Sequence, residues 1–352
     1  MKKIAIISIN DNTNFGNRLQ AYALNYYITK MGFECFHIGN KITIKNRLKL
    51  FVKFTLSIFY KKYKWIREYN FIKFNKNIKY DQCNIDQIIK SGCSKKYSYF
   101  IVGSDQIWNP EFAGFDYFFL DFINERRKKI AYAASIGLSK VDRGYANKMK
   151  KYLNDFNYIS VREEAANNLL TKLTGRKDIK TLIDPTMLLT SEEWERVMKK
   201  PKIYNGEKYI LLYFLGDLSS ERRAQINKIA AKDNCKIIEI LNPNDPYYTS
   251  GPAEFLFLEK NATYIFTDSF HSSVFSIIFN VPFTIFDREE NGLGKMNSRI
   301  DTLVTTLKLK NRWYNEKEII YENLHADYTE AYKIINEKRK ESEAFLKKAL
   351  SE

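Results

Sequence analysis

The stretch from Thr263 to Asp287, TYIFTDSFHSSVFSIIFNVPFTIFD, constrains the fold more than any other part of the chain. Tyr264 to Phe266 reads as a buried strand running into Thr267, Asp268 and Ser269, and an apolar helix follows from about Phe270 to Phe279. Asn280 and Pro282 then stop the helix before a second apolar strand. Strand, helix and strand at this spacing build a parallel α/β sheet, in which ligands bind beyond the carboxyl ends of the strands, where helix N–H groups point. His271 falls in the first helical turn beside Ser269, Ser272 and Ser273. An anion there would meet hydroxyls, backbone donors and one titratable imidazole, although Asp-Ser before a helix is also an ordinary N-cap.

The same pattern recurs from the start of the chain. Lys3 to Ile9 reads as a strand, Asn10 to Gly16 as a polar loop, Asn17 to Met31 as a helix ended by Gly32, and Phe33 to Ile38 as a second strand. The loop, NDNTNFG, lacks the GxGxxG that a dinucleotide pyrophosphate requires, which argues against NAD or FAD. Asn14, Asn17 and Gln20 instead offer amides suited to sugar hydroxyls, although Asn and Gly are equally common in plain turns. Tyr97 to Val102 is a further strand, leading into GSDQIWNP. In that loop Asp105 is placed to act as a base toward a hydroxyl or to cap a helix, Gln106 adds an amide, and Trp108 offers a ring to stack on a sugar.

Ile130 to Ala134 is read as a strand, Gly144 to Leu153 as a helix, and Tyr158 to Val161 as a strand ending at Arg162, just before a helix opened by Glu163 and Glu164. A cation at a helix amino end opposes the macrodipole, so Arg162 implies either a bound anion or a salt bridge to one of those glutamates. Ile179 to Ile183 reads as a strand closing at Asp184-Pro185, and Thr190 with Glu193 forms a capping box starting a helix through Met198. The polar run Lys199 to Lys208 is the expected boundary, dividing the chain into 1–200, 201–325 and a terminal helix in 326–352. Beyond it a second α/β series begins, with strands at Tyr209 to Leu215 and Lys236 to Leu241, a helix over Ser220 to Lys232 and another opened by Pro252. Lys295 and Arg299 follow on a glycine-containing loop entering a helix, and a charged amphipathic helix from Tyr328 to Leu350 is expected to brace the domains.

Charge is concentrated. Of the net +16, the segment Lys41 to Tyr80 supplies +11, from ten Lys and two Arg against Glu68 alone, and it is also rich in Phe, Tyr and Trp. Such an insertion fits an anionic membrane face or a lipid-linked substrate, and equally a helical segment with aromatics in the core and solvated lysines. Neither zinc-finger spacing nor an RNP-like motif accompanies it, so nucleic acid is not expected. Cys35, Cys83, Cys93 and Cys235 lie far apart, form no CxxC pair and have no histidine placed to complete a metal site, so none is expected and a reducing cytoplasm fits. The apolar run after Met1 is too short for a signal peptide or membrane span, which again gives a cytoplasmic expectation.

NFGNRLQAYAL, VGSDQIWNP, SVREE, IDPTMLL, GPAEFL, TDSFHSSVFSIIFNVPF and MNSRIDTL occur in this order between Asn14 and Leu303. Together they resemble the polysaccharide pyruvyl transferase family. The resemblance implies two Rossmann-like domains facing across a cleft, as in GT-B enzymes, with the basic insertion in the first and the final helix crossing back. It also implies transfer of pyruvate from phosphoenolpyruvate to two hydroxyls of one sugar in a glycan or lipid-linked glycan, with a cyclic ketal formed and phosphate released. DSFH carries His271 and Ser269 to the donor site, SVRE carries Arg162 and SRI carries Arg299. Two departures from the pattern are Ser272, where glycine is frequent, and Lys295, where arginine is. A phosphate and a carboxylate need two cationic clamps, for which Arg162, Lys295 and Arg299 are the expected residues, with Ser272 and Ser273 beside them. His271 and Asp105 would share the proton transfers, and no metal or cofactor is required beyond phosphoenolpyruvate as co-substrate. The donor falls to the second domain and the acceptor, with Asn14, Asn17, Gln20, Gln106 and Trp108, to the first. A GT-B-type glycosyltransferase using a nucleotide sugar is the alternative, and a membrane-docked scaffold a third.

Overall fold

Short apolar runs form the strands and amphipathic stretches between them form the helices. The computed structural model describes residues 2–9, 13–39, 48–49, 51–55, 63–81, 83–111, 116–138, 140–288, 298–315, 317–320 and 324–351. In chain order come β1 (Lys3–Ile7), α1 (Phe15–Lys30), β2 (Glu34–Ile38), α2 (Tyr63–Phe74), α3 (Ile85–Ser91), β3 (Tyr99–Val102), β4 (Lys129–Ala134), α4 (Arg143–Leu153), β5 (Tyr158–Val161), α5 (Glu164–Thr174) and β6 (Lys180–Thr181). After these come α6 (Ser191–Glu195), β7 (Tyr209–Tyr213), α7 (Ser220–Lys232), β8 (Lys236–Glu239), α8 (Pro252–Asn261), β9 (Tyr264–Thr267), α9 (Phe270–Ile278), β10 (Phe283–Ile285), α10 (Ser298–Thr306) and α11 (Thr329–Ser351). Two compact units result, one from Met1–Thr43, Lys76–Leu189 and Ile335–Glu352, the other from Ile44–Asn75 and Thr190–Ile334.

The first unit holds a six-stranded sheet in the order β2-β1-β3-β4-β5-β6. Its pairings are all parallel, with Ile4 beside Cys35 on one side and Tyr99 on the other. β3 and β4 are buried along their whole length, which explains why they read as continuous apolar runs rather than alternating ones. β6 is only two residues long, against the five expected, because Asp184 and Pro185 turn the chain into a 3-10 helix over Pro185–Leu188. The second unit holds a four-stranded parallel sheet in the order β10-β9-β7-β8. Both sheets place the second strand on one side of the first and the third on the other. That reversal is the topological switch point of a doubly wound fold, where ligands bind at the strands' carboxyl ends.

Two segments join units other than those expected. Residues 44–75 belong to the second unit rather than the first. Arg67 of α2 is buried, stacks on Phe71 and Tyr248, and donates to the carbonyls of Ile240 at 3.4 Å and Tyr248 at 3.3 Å. Asn70 donates to Thr249 O at 2.8 Å, and a Cβ on Gly251 would lie 2.7 Å from that of Asn70, so the close approach requires glycine. From Ile335 onward α11 belongs to the first unit, where Arg339 donates to the carbonyls of Met187 and Leu189 at 2.7 Å each. Among the described residues no helix is long and apolar enough to cross a membrane, and no group of three or more His, Cys, Asp or Glu is placed to hold a metal ion.

Candidate functional site

In the second unit the switch point lies between β7 and β9, and Asp268 occupies it. Its carboxylate accepts from Leu215 N at 2.7 Å and Gly216 N at 2.8 Å, just past β7, and from Arg288 Nε at 3.1 Å, just past β10. Arg288 Nη2 adds a bond to Asp268 O at 3.4 Å, so the guanidinium is fixed two residues before the start of α9. Thr267 Oγ1 donates to Tyr213 O at 2.6 Å and accepts from Ser269 N at 3.0 Å, latching the same loop to the end of β7. Ser269 is the N-cap of α9, yet its side chain makes no capping bond, and the first turn holds no acidic residue. The positive end of the helix is thus capped neither by the Ser269 side chain nor by a carboxylate of its own first turn.

His271, in that first turn, is largely buried and meets the Phe270 ring edge-on at 5.2 Å. Ser272 and Ser273, also expected at the donor, are both fully buried. Ser272 Oγ donates to Glu259 at 2.6 Å and Ser273 Oγ to Ser269 O at 3.0 Å. Burial holds the Glu259 carboxyl well above its ordinary range, against the Ser272 bond. Burial likewise raises the Tyr213 phenol, with Asp268 and Glu259 adding to the rise and Arg67 and Arg288 opposing it, so all four groups lie within electrostatic reach of one ring. Arg299 is half-buried in the first turn of α10, and Lys295 lies outside the described residues.

In the first unit the switch point lies between β1 and β3, and Asp105 follows β3 with φ of +75°, a left-handed conformation that Asp tolerates better than most residues. Its backbone carbonyl accepts from Ile107 N at 2.7 Å and Ser135 N at 3.0 Å. The carboxylate takes Asn17 Nδ2 at 3.0 Å and Gln106 N at 2.9 Å, and Arg162 Nη2 stands 3.6 Å away. Asp105 remains partly exposed while its partners do not. Nearby, Ala133 has φ of +47° where the β4–β5 register shifts, so backbone strain gathers at these strand ends.

Arg162 is buried, and its Nη1 is 2.5 Å from Asp184 Oδ2 and 3.3 Å from Ser104 Oγ. Asp184 also accepts from Ser104 Oγ at 2.7 Å, Thr186 N at 2.9 Å and Thr186 Oγ1 at 2.6 Å. Burial alone would lower the Arg162 pKa, but Asp184, Asp105 and Glu163 turn the shift into a rise. The expected anion position is thus already balanced by carboxylates of its own unit, with Asp184 in close hydrogen-bonded contact and Asp105 and Glu163 adding charge, while the Glu163 carboxylate also takes the Ser135 hydroxyl.

The expected acceptor residues largely become supports. Asn14 caps α1 by accepting Asn17 N at 3.0 Å, and it alone of the five amides and rings is half exposed. Gln20 is fully buried and donates to Ser8 Oγ at 3.3 Å and Asn17 O at 3.1 Å. Ser8 Oγ lies in hydrogen-bond contact with His37 Nε2 at 2.8 Å, and burial, helped by Arg18, pushes that imidazole down to about 3. Gln106 is packed on Gly137, where a Cβ would lie 1.9 Å from its Nε2. Trp108 is fully buried, parallel to Phe119 at 6.0 Å and edge-on to Phe156, with Nε1 donating to Phe118 O, so no face is open to a sugar. Reading the sequence missed Arg288, Glu259, Ser104, Ser8 and His37. Arg288 alone carried a signal, as a cation three residues past a strand.

A family model described as polysaccharide pyruvyl transferase matches residues 14–290. Among solved structures, UDP-N-acetylglucosamine 2-epimerase from Rickettsia bellii is similar at 12% identity and a TM-score of 0.50, over 96% of this chain and 95% of that one, which shows a shared GT-B-like fold. UDP-GlcNAc 2-epimerase from Methanocaldococcus jannaschii is similar at 16% identity and a TM-score of 0.49, over 95% of this chain and 98% of that one, and adds no further argument. No curated protein matches the sequence.

Proposed function

The chain belongs to the polysaccharide pyruvyl transferase family, which makes it a transferase, and we propose that it moves pyruvate from phosphoenolpyruvate onto two hydroxyls of one sugar in a bacterial polysaccharide or its lipid-linked precursor. The observation that carries this reading is the family match itself, which spans Asn14, Asp105, Arg162, Asp268 to His271 and Arg288, with Arg299 beyond it.

The second unit is assigned the donor. The amides at the start of α9 suit the phosphate, and Arg288, held at a fixed angle by Asp268, suits the phosphate or carboxylate through its planar fork. His271 in the same turn is assigned the proton that reaches the donor methylene as the first hydroxyl adds to the enol carbon. Asp105, the part-exposed carboxylate of the first unit, is assigned the proton leaving that hydroxyl. The carbon–oxygen bond to phosphate then breaks, the second hydroxyl adds to the same carbon, and its proton leaves with the phosphate. Arg162 and Asn17 serve by holding Asp105 in place rather than by meeting the donor. Protons and leaving group balance without a metal or nucleotide.

The test supplies phosphoenolpyruvate and a glycolipid fraction from the producing cells, and reads phosphate release together with a new carboxylate on the glycan. Wild type is expected to release phosphate only when both are present, and His271→Ala to lose roughly 10²–10⁴ in rate. Turnover of His271→Ala within about tenfold of wild type removes the proton-transfer role.

A further inference from the structure

We propose that the outward side of the basic segment 48–55 is a docking surface for an anionic lipid membrane, a property independent of the reaction proposed above. Residues 48–49 and 51–55 are helical, and Leu48, Phe51 and Val52 are 63%, 55% and 55% exposed. Leu48 stands three and four residues before Phe51 and Val52, the spacing at which helical side chains share one side. Water thus meets three large apolar side chains in succession, which a solvated helix does not need.

The segment is anchored on its other side. Phe54 stacks on Tyr69 of α2 at 4.2 Å, and Lys53 Nζ sits 6.0 Å from the Trp65 ring centroid. α2 is itself fixed in the second unit by Arg67, Asn70, Phe71 and Phe74. The apolar stripe is therefore held by folded structure and faces away from it.

Charge identifies the occupant. Lys49, Lys53, Lys64 and Lys73 are exposed, and none of them meets a carboxylate among the described residues. Ten Lys and two Arg face one Glu across residues 41–80. An apolar stripe flanked by lysines matches a bilayer interface, where the stripe enters the acyl boundary and the lysines meet anionic headgroups. A nucleic-acid backbone would leave leucine, phenylalanine and valine without a partner.

The test is sedimentation of the full chain with sucrose-loaded vesicles of phosphatidylcholine, alone or mixed with phosphatidylglycerol. Binding to the mixed vesicles and little to the neutral ones is expected, weakening as salt rises. Leu48→Ser with Phe51→Ser and Val52→Ser should lower partitioning at least about tenfold, and Lys49→Glu should weaken binding to the anionic vesicles, with thermal midpoints unchanged because these side chains are exposed. As a second readout, the emission that a Phe51→Trp variant adds to that of Trp65, Trp108, Trp194 and Trp313 should be quenched by brominated acyl chains. Equal binding to neutral and anionic vesicles, or full binding by the serine triple variant, overturns the proposal. So does displacement by single-stranded RNA that the triple variant matches, or a dimer that the triple variant dissolves without any vesicle binding.

Discussion

Replacing Glu259 by Gln should stabilise the protein, and the gain should grow with pH. Glu259 is fully buried on α8, with Ser272 Oγ donating to it at 2.6 Å, and burial raises its pKa well above 4.5. Between the unfolded and folded pKa values the native state holds a proton that the unfolded state has released. Unfolding then becomes easier as pH rises, by about 1.4 kcal/mol per pH unit, until the folded pKa is passed. Stability from this group is thus fullest below the unfolded pKa and is lost as pH rises through the window between the two. Gln has nearly the same shape, still accepts the Ser272 bond and does not titrate. The difference between variant and wild type should accordingly widen by about 1.4 kcal/mol per pH unit from pH 5 upward, or roughly 3–6 °C in the midpoint of a unit this size. Thermal unfolding from pH 5 to 8, followed by circular dichroism, reads it. A difference that stays flat across that range would refute the reasoning, because it would mean that Glu259 is ionised in the native state.

Asp184→Ala removes the close partner of a buried guanidinium and should cost about 3–5 kcal/mol, with Asp184→Asn costing less. Denaturant unfolding checks it, and a loss under about 1 kcal/mol for Asp184→Ala would show that Asp105 and Glu163 suffice to hold Arg162. Gly251→Ala would place a methyl 2.7 Å from Asn70 Cβ and 2.9 Å from its carbonyl carbon, so α2 must shift. A loss of about 1–3 kcal/mol is expected, with faster proteolysis around residues 44–75, and an unchanged midpoint would count against the close approach.

Much of the fold was legible because its signals are local. Ser220–Lys232 coincides with the expected helix, Pro252 opens α8, and Thr190 with Glu193 forms the anticipated capping box. The site was legible less evenly, because the decisive partners are distant in the chain. Trp108 next to amides looks like a sugar platform until Phe119 and Phe156 close over it. Arg162 looks like an anion clamp until the chain returns through β6 and delivers Asp184. Ser272 and Ser273 stand in the right motif, yet a helix turns successive side chains through about 100°, and these two fall on the side facing α8 and the helix backbone. The basic segment shows the same limit. Its charge and aromatics mark it as unusual, but only Arg67 and Asn70 meeting the carbonyls of 240 and 248–249 show which unit it joins.

The donor is the central claim, and a thermal-shift titration with phosphoenolpyruvate against UDP-N-acetylglucosamine tests it most directly. A ligand held only by the folded state at a hundred times its dissociation constant adds about 2.7 kcal/mol. The account predicts that phosphoenolpyruvate raises the midpoint of wild type, that His271→Ala and Arg288→Ala abolish most of the rise, and that the nucleotide sugar has no effect. A rise with UDP-N-acetylglucosamine and none with phosphoenolpyruvate would contradict it and make the chain a nucleotide-sugar enzyme.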